Sequence, residues 1–205
     1  MKRHLCSALA VAVAAAALLA GCASTSLKSA WFDSTWSGAA FRRVLVVGSG
    51  GNLADVRVFE DIFVQKLKAA GVDGVPGYVF VGSDAPLDDA AWNAAVARSA
   101  ADGLLTVRLL RVDTKTRVST TMMPGPVMYG PYGGWWGPAM VPVAEVYQYD
   151  IASVETTLWD VKSRRVVWAG VTDTLNPTTV ARETPAFADL IIGQLAERSL
   201  LAATK

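Results

Sequence analysis

Three groups of residues in this 205-residue chain have types and spacing that could do chemistry. Gly48-Ser49-Gly50-Gly51 follows a short β-branched run and precedes a helical pattern, the setting of a dinucleotide-binding turn. The third glycine of G-x-G-x-x-G would fall at Leu53, and no Gly-Lys-Ser/Thr is present, so the turn reads as backbone that needs positive φ. Glu60-Asp61 and Asp88-Asp89 are adjacent pairs that point about 100° apart on a helix, which reads as solvated helix faces or first-turn charges. Glu155 stands mid-strand just before Thr156 and Thr157, where a buried carboxylate could act as an acid, although glycoside hydrolysis needs a second carboxylate across a cleft. The blander expectation for Glu155 is an exposed or salt-bridged strand residue. The one histidine, His4, and both cysteines, Cys6 and Cys22, lie within the first 22 residues.

That N-terminal segment is therefore decisive. Lys2-Arg3-His4 gives a positive start, and Leu5 to Ala20 is apolar or small apart from Ser7, too short for the roughly 20 residues of a spanning helix. It ends in Leu19-Ala20-Gly21-Cys22, which resembles the lipobox of bacterial lipoproteins. The resemblance implies cleavage before Cys22, a diacylglyceryl group on its thiol and an acylated new terminus, because two or more chains anchor stably where one does not. Ala23 and Ser24, in place of an aspartate, imply by the same resemblance the outer rather than the inner membrane of a Gram-negative cell. Cleavage removes Lys2 and Arg3 from 19 basic residues, leaving 17 against 18 acidic. The mature chain then has no histidine and no free thiol. Ser-His-Asp and Cys-His catalysis are excluded, as are zinc sites built on His or Cys. No group retains an ordinary pKa between about 5 and 7.5, so stability is expected to be flat across that window. A near-zero net charge argues against nucleic acid as a partner.

The elements that would position these groups follow from periodicity. Residues 22–40 read as a lipidated terminus and tether interrupted by Trp31, Phe32 and Trp36, which are expected to dock on the domain or to sit at the lipid headgroups. The domain is expected over 41–205. Val44 to Val47 predicts a buried strand, and Val56, Phe59, Ile62, Phe63, Leu67 and Ala70 predict a helix capped by Asn52 or Asp55 and closed by Gly71. Gly74 to Val81 predicts an edge strand, weakened by Pro76. A helix opened by Pro86, Asp88 and Asp89 follows, with Trp92, Ala95, Val96 and Ser99 on one face, and then a long strand from Leu104 to Ser119. Tyr147 to Val161 and Val166 to Thr174 alternate as a hairpin about Lys162-Ser163-Arg164. Thr184-Pro185 predicts the N-cap and first residue of a last helix. The expected fold is a single α/β (α+β) domain whose mixed sheet runs β-α-β-α-β, long loop, β-β-α.

That loop, 118–144, has no charged residue in 27 positions, yet holds five prolines, five glycines, four methionines, Tyr129, Tyr132, Trp135 and Trp136. It is open to three readings: a lid over the domain's own core, a contact for an envelope protein or a second copy, or a contact with a membrane interface or glycan. The four aromatics are the candidate partner residues.

The order of Phe41-Arg42-Arg43-Val44-Leu45-Val46-Val47, Phe59-Glu60-Asp61, Gly71-Val72, Ala101-Asp102-Gly103-Leu104-Leu105, Leu158-Trp159-Asp160 and Val167-Trp168 resembles a group of Gram-negative outer-membrane lipoproteins of unknown function. Similar α/β domains occur in curli secretion factors and in activators of cell-wall synthases. The resemblance implies a periplasm-facing α/β domain and carries no functional residue. The expected protein is thus a lipid-anchored, non-enzymatic binding or envelope-assembly accessory with no cofactor and no metal. The alternative is a carboxylate-dependent hydrolase or glycan-acting enzyme of the periplasm.

Overall fold

A computed structural model describes residues 25–81, 89–124 and 140–202. A six-stranded mixed sheet runs in the order β1-β6-β5-β4-β2-β3. Its strands are β1 (Thr25–Phe32), β2 (Arg43–Ser49), β3 (Asp73–Pro76), β4 (Gly103–Pro124), β5 (Met140–Asp160) and β6 (Arg165–Leu175). Strands β2, β3 and β4 are parallel, and β5, β6 and β1 are added antiparallel, each to the strand before it in space. Among the described residues the helices are α1 (Leu53–Ala69), α2 (Asp89–Ser99) and α3 (Val180–Glu197). The α/β class and the single mixed sheet agree with the sequence expectation.

The main core lies between one face of the sheet and the helices α1 and α3. Val44, Val46, Leu105, Leu158 and Trp168 meet Phe63, Leu67, Phe187, Ile191 and Leu195 there. Phe59, Phe63 and Phe187 interlock with ring centroids 5.7, 5.8 and 6.1 Å apart, in tilted and edge-to-face arrangements. A smaller cluster of Leu45, Val96, Ala101 and Leu104 buries α2 on the opposite face.

Four features differ from the sequence reading. The first half of the expected tether is strand β1, paired with β6 from Thr25↔Thr174 to Phe32↔Trp168. An edge strand needs no apolar alternation to pair its backbone, and a lysine in mid-strand, here Lys28, suits an edge. Of the three tether aromatics, Phe32 and Trp36 pack on the core, and Trp36 stacks on Phe41 at 5.3 Å, whereas Trp31 stays 54% exposed. β3 does lie at the other edge but stops at Pro76, and Gly77–Val79 turn as a 3-10 helix. α3 begins at Val180 after the N-cap Thr179, so Pro185 lies inside the helix. Glu183 reaches back to accept hydrogen bonds from the Thr178 N–H and hydroxyl (3.2 and 2.9 Å), which fixes the earlier start. Finally, β4 and β5 run on through 118–124 and 140–144, segments expected as loop. The glycine and proline density that forbids regular structure begins only at Pro124, and the preceding V-S-T-T-M-M is good strand sequence.

Candidate functional site

The parallel strands set the geometry. β2 delivers Gly48-Ser49-Gly50-Gly51 to the start of α1, where Asn52 Oδ1 caps the Asp55 N–H at 2.9 Å. Gly50 and Gly51 have φ of +91° and +92°, as expected of a turn that needs positive φ, and a Cβ on Gly50 would come within 3.1 Å of the Leu109 Cβ. No phosphate-binding glycine pattern is needed to explain them.

Glu60 is a correction to the solvated-face expectation. It is 2% exposed, and Oε1 accepts the Gly48 N–H at 2.9 Å while Oε2 accepts the Tyr78 N–H at 2.8 Å. It therefore braces the end of β2 against the turn after β3. Burial pushes its carboxyl pKa up, and the backbone donors of Gly48, Tyr78 and Gly77 oppose that shift. Its neighbour Asp61 is bonded instead to the Tyr78 hydroxyl at 2.8 Å. A single glutamate within a half-apolar helix gives no sequence signal of burial. The nearest signal was Gly77, which cannot carry a side chain, because a Cβ there would meet Val46 O at 2.8 Å and Val47 at 2.7 Å.

Glu155 lies on the face of the sheet opposite α1 and α3, in a 2.7 Å ion pair with Arg108 on the neighbouring strand. That is the exposed or salt-bridged alternative. Of Asp88 and Asp89, Asp88 lies outside the described residues, and Asp89 begins α2. Among the described residues no cluster of three His, Cys, Asp or Glu side chains could hold a metal.

A cleft of about 430 Å³ opens where α1 and α3 begin, with Val107, Ala152 and Val154 as its floor and Phe59 and Phe187 behind. Its lining is mainly apolar. Of its polar groups, Asp55 is held by Asn52 and Glu183 by Thr178.

The feature that stands apart is the β4–β5 ribbon. β2 leaves β4 at Arg108, β6 leaves β5 at Ile151, and a bulge between Leu109 and Arg111 re-aims β4 between those points. From Thr114↔Asp150 to Pro124↔Met140 the two strands pair only with each other, over about 35 Å at roughly 3.4 Å per residue. On one side, continuous with the core face of the sheet through Val112 and Ala152, lie Thr116, Val118, Thr120 and Met122 with Gln148, Val146, Ala144, Pro142 and Met140. On the other side lie Lys115, Arg117, Glu145, Tyr147 and Tyr149, followed by Thr121, Met123 and Val143. Val118, Met122, Met140 and Val146 are 64, 59, 60 and 64% exposed. These flanks are not folded back on the core. Tyr129, Tyr132, Trp135 and Trp136, together with Cys22, lie outside the described residues. No helix among the described residues is long and apolar enough to cross a membrane.

No protein-family profile matches the sequence, and neither does any curated protein. Among solved structures, the PelC dodecamer from Paraburkholderia phytofirmans aligns at 15% identity over 86% of this chain and 99% of PelC, with a TM-score of 0.43. A variant of that dodecamer aligns over the same shares with a TM-score of 0.45. The lipoprotein GNA1162 from Neisseria meningitidis aligns at 12% identity over 76% of this chain and 98% of that one, with a TM-score of 0.41. The likeness concerns the fold alone and bears on no residue.

Proposed function

We propose that this chain is a lipid-anchored outer-membrane lipoprotein, facing the periplasm, whose role is non-enzymatic: it engages another component of the envelope through the β4–β5 ribbon. The observation that carries this reading is the ribbon itself. An isolated two-stranded hairpin is marginal in water, yet this one extends about 35 Å with both faces exposed and medium to large apolar side chains on them. Exposed apolar surface on that scale is the mark of an interaction element. The Leu19-Ala20-Gly21-Cys22 signal supports the anchor. The hydrolase reading has less support, because Glu155 is neutralised by Arg108 and the carboxylate of Glu60 is committed to backbone donors. The ribbon's counterpart is an envelope protein, the bilayer or a second copy of the chain.

A photo-crosslinking residue at Val146 in intact cells tests the proposal. Capture of a defined envelope species from Val146 is expected; a second probe on the body, at the exposed Leu175 beside the ribbon's root, should capture the same species and lose it when residues 116–148 are replaced by a two-residue Asn-Gly turn. Equal capture by that second probe from the ribbonless protein would refute the ribbon's role.

A further inference from the structure

Strand directions tie the ribbon to the N-terminus. Thr25 opens β1 opposite Thr174 near the end of β6, with a hydroxyl-to-hydroxyl hydrogen bond of 2.9 Å. Thr174 in turn pairs with Ala152, two residues from where β5 leaves the body as ribbon. Thr25, where the described chain begins, therefore lies at the same end of the sheet as the root of the ribbon. Only two residues, Ala23 and Ser24, separate Thr25 from Cys22, a reach of about 10 Å over three fully extended steps. If Cys22 carries the lipid, the bilayer lies against this end, within the span of the ribbon. The inference rests on the anchoring part of the proposed function.

The ribbon's chemistry is sorted for such a surface. Beyond the body its charges are Lys115, Arg117 and Glu145 on one side, together with Tyr147 and Tyr149, and Asp150 at the root of the other. From Thr116↔Gln148 outward, the core-side face has no charge. An amphipathic element of this kind sits in the plane of the interface, apolar side toward the acyl chains and basic and aromatic groups among the headgroups. Deeper burial would strand the unpaired backbone groups at both ribbon edges away from water, at several kcal/mol each. We infer that the core-side face of the ribbon, centred on Val118, Met122, Met140 and Val146, docks on the bilayer that holds the lipid anchor, at headgroup depth.

The test uses the mature chain, which lacks cysteine once Cys22 is replaced. An N-terminal histidine tag in place of Cys22 binds nickel-chelating lipid in phosphatidylethanolamine–phosphatidylglycerol vesicles, so the protein is held at the right point whether or not the natural thiol is acylated. An environment-sensitive fluorophore goes on the single thiol of Met122→Cys, Val118→Cys or, on the opposite face, Lys115→Cys. The expected result is at least two-fold quenching at 118 and 122 by acyl-chain nitroxides, with little change at 115. Vesicle-bound protein with no quenching at 118 and 122 overturns the inference, as does equal quenching at all three sites. A blue shift at 122 without quenching, accompanied by self-crosslinking, also overturns it in favour of a second copy. The intact mass of the N-terminal peptide from native membranes reads acylation of Cys22 separately, so failure of the anchor is told apart from failure of the docking face.

Discussion

Glu60 is the residue on which the sequence expectation and the structure part most clearly, and its titration can be measured. Burial raises its folded pKa above the unfolded value of about 4.3. Between those two values the folded protein holds the proton that the unfolded chain has lost. The contribution to stability is therefore fully present below about pH 4.3 and is lost as pH rises through the folded pKa. Melting temperature should therefore fall in the wild type as pH rises from about 4.3 through the folded pKa of Glu60, and Glu60→Gln should remove that slope. The glutamine keeps one acceptor and sets its amide against a backbone donor, so the variant should also lose about 1–3 kcal/mol in urea denaturation. At the acid end Asp33, whose pKa is lowered first by hydrogen bonds from Thr35 and then by Arg165, gives stability that is lost as pH falls below its ordinary value. Gly50 belongs to the same scale. Its φ of +91° and the nearby Leu109 make Gly50→Ala strained on both counts, and a loss of about 1–3 kcal/mol is expected by the same measurement.

At the scale of elements, pattern makes α1, β2 and β6 legible, since burial repeats every three or four residues in α1, alternates along β6 and covers both faces of the short apolar run of β2. What it could not show was pairing that depends on backbone alone. β1 is a Ser- and Lys-bearing edge, and its strand identity comes from β6, not from its own side chains. The extension of β4 and β5 was hidden by treating the uncharged stretch as one segment, although Gly and Pro crowd only its middle. The start of α3 is obscured by a proline of the kind that usually marks a helix start; Thr178 and Glu183, five positions apart, are the better sign. Two variants separate body from ribbon. Phe187→Ala removes a ring from the Phe59–Phe63–Phe187 cluster and should cost about 3–5 kcal/mol by chemical denaturation. Replacing 116–148 by Asn-Gly should leave the body's stability within about 0.5 kcal/mol, because the described side chains it removes, at 116–123, 140 and 142–148, are mostly exposed and surface changes of that kind are small. A loss of several kcal/mol would show the ribbon, or the segment at its tip, to be a lid on the core.

For the whole molecule, the sheet joins three things at one end: the start of β1, the mouth of the cleft and the root of the ribbon. Two residues between Cys22 and the first strand, in place of eighteen, would keep a domain anchored as proposed with this end close to the bilayer. Cys22→Ser should release the protein from the membrane fraction while leaving the domain's circular dichroism unchanged. The most direct measurement is amide hydrogen exchange on the acylated protein in native membranes, compared with the unlipidated domain in buffer. In buffer, ribbon amides at 114–124 and 140–150 should exchange far faster than those of β2, β4 before Arg108 and β6. In membranes the ribbon amides should slow by ten-fold or more, with the body unchanged. Ribbon exchange that is the same in both settings would contradict the account.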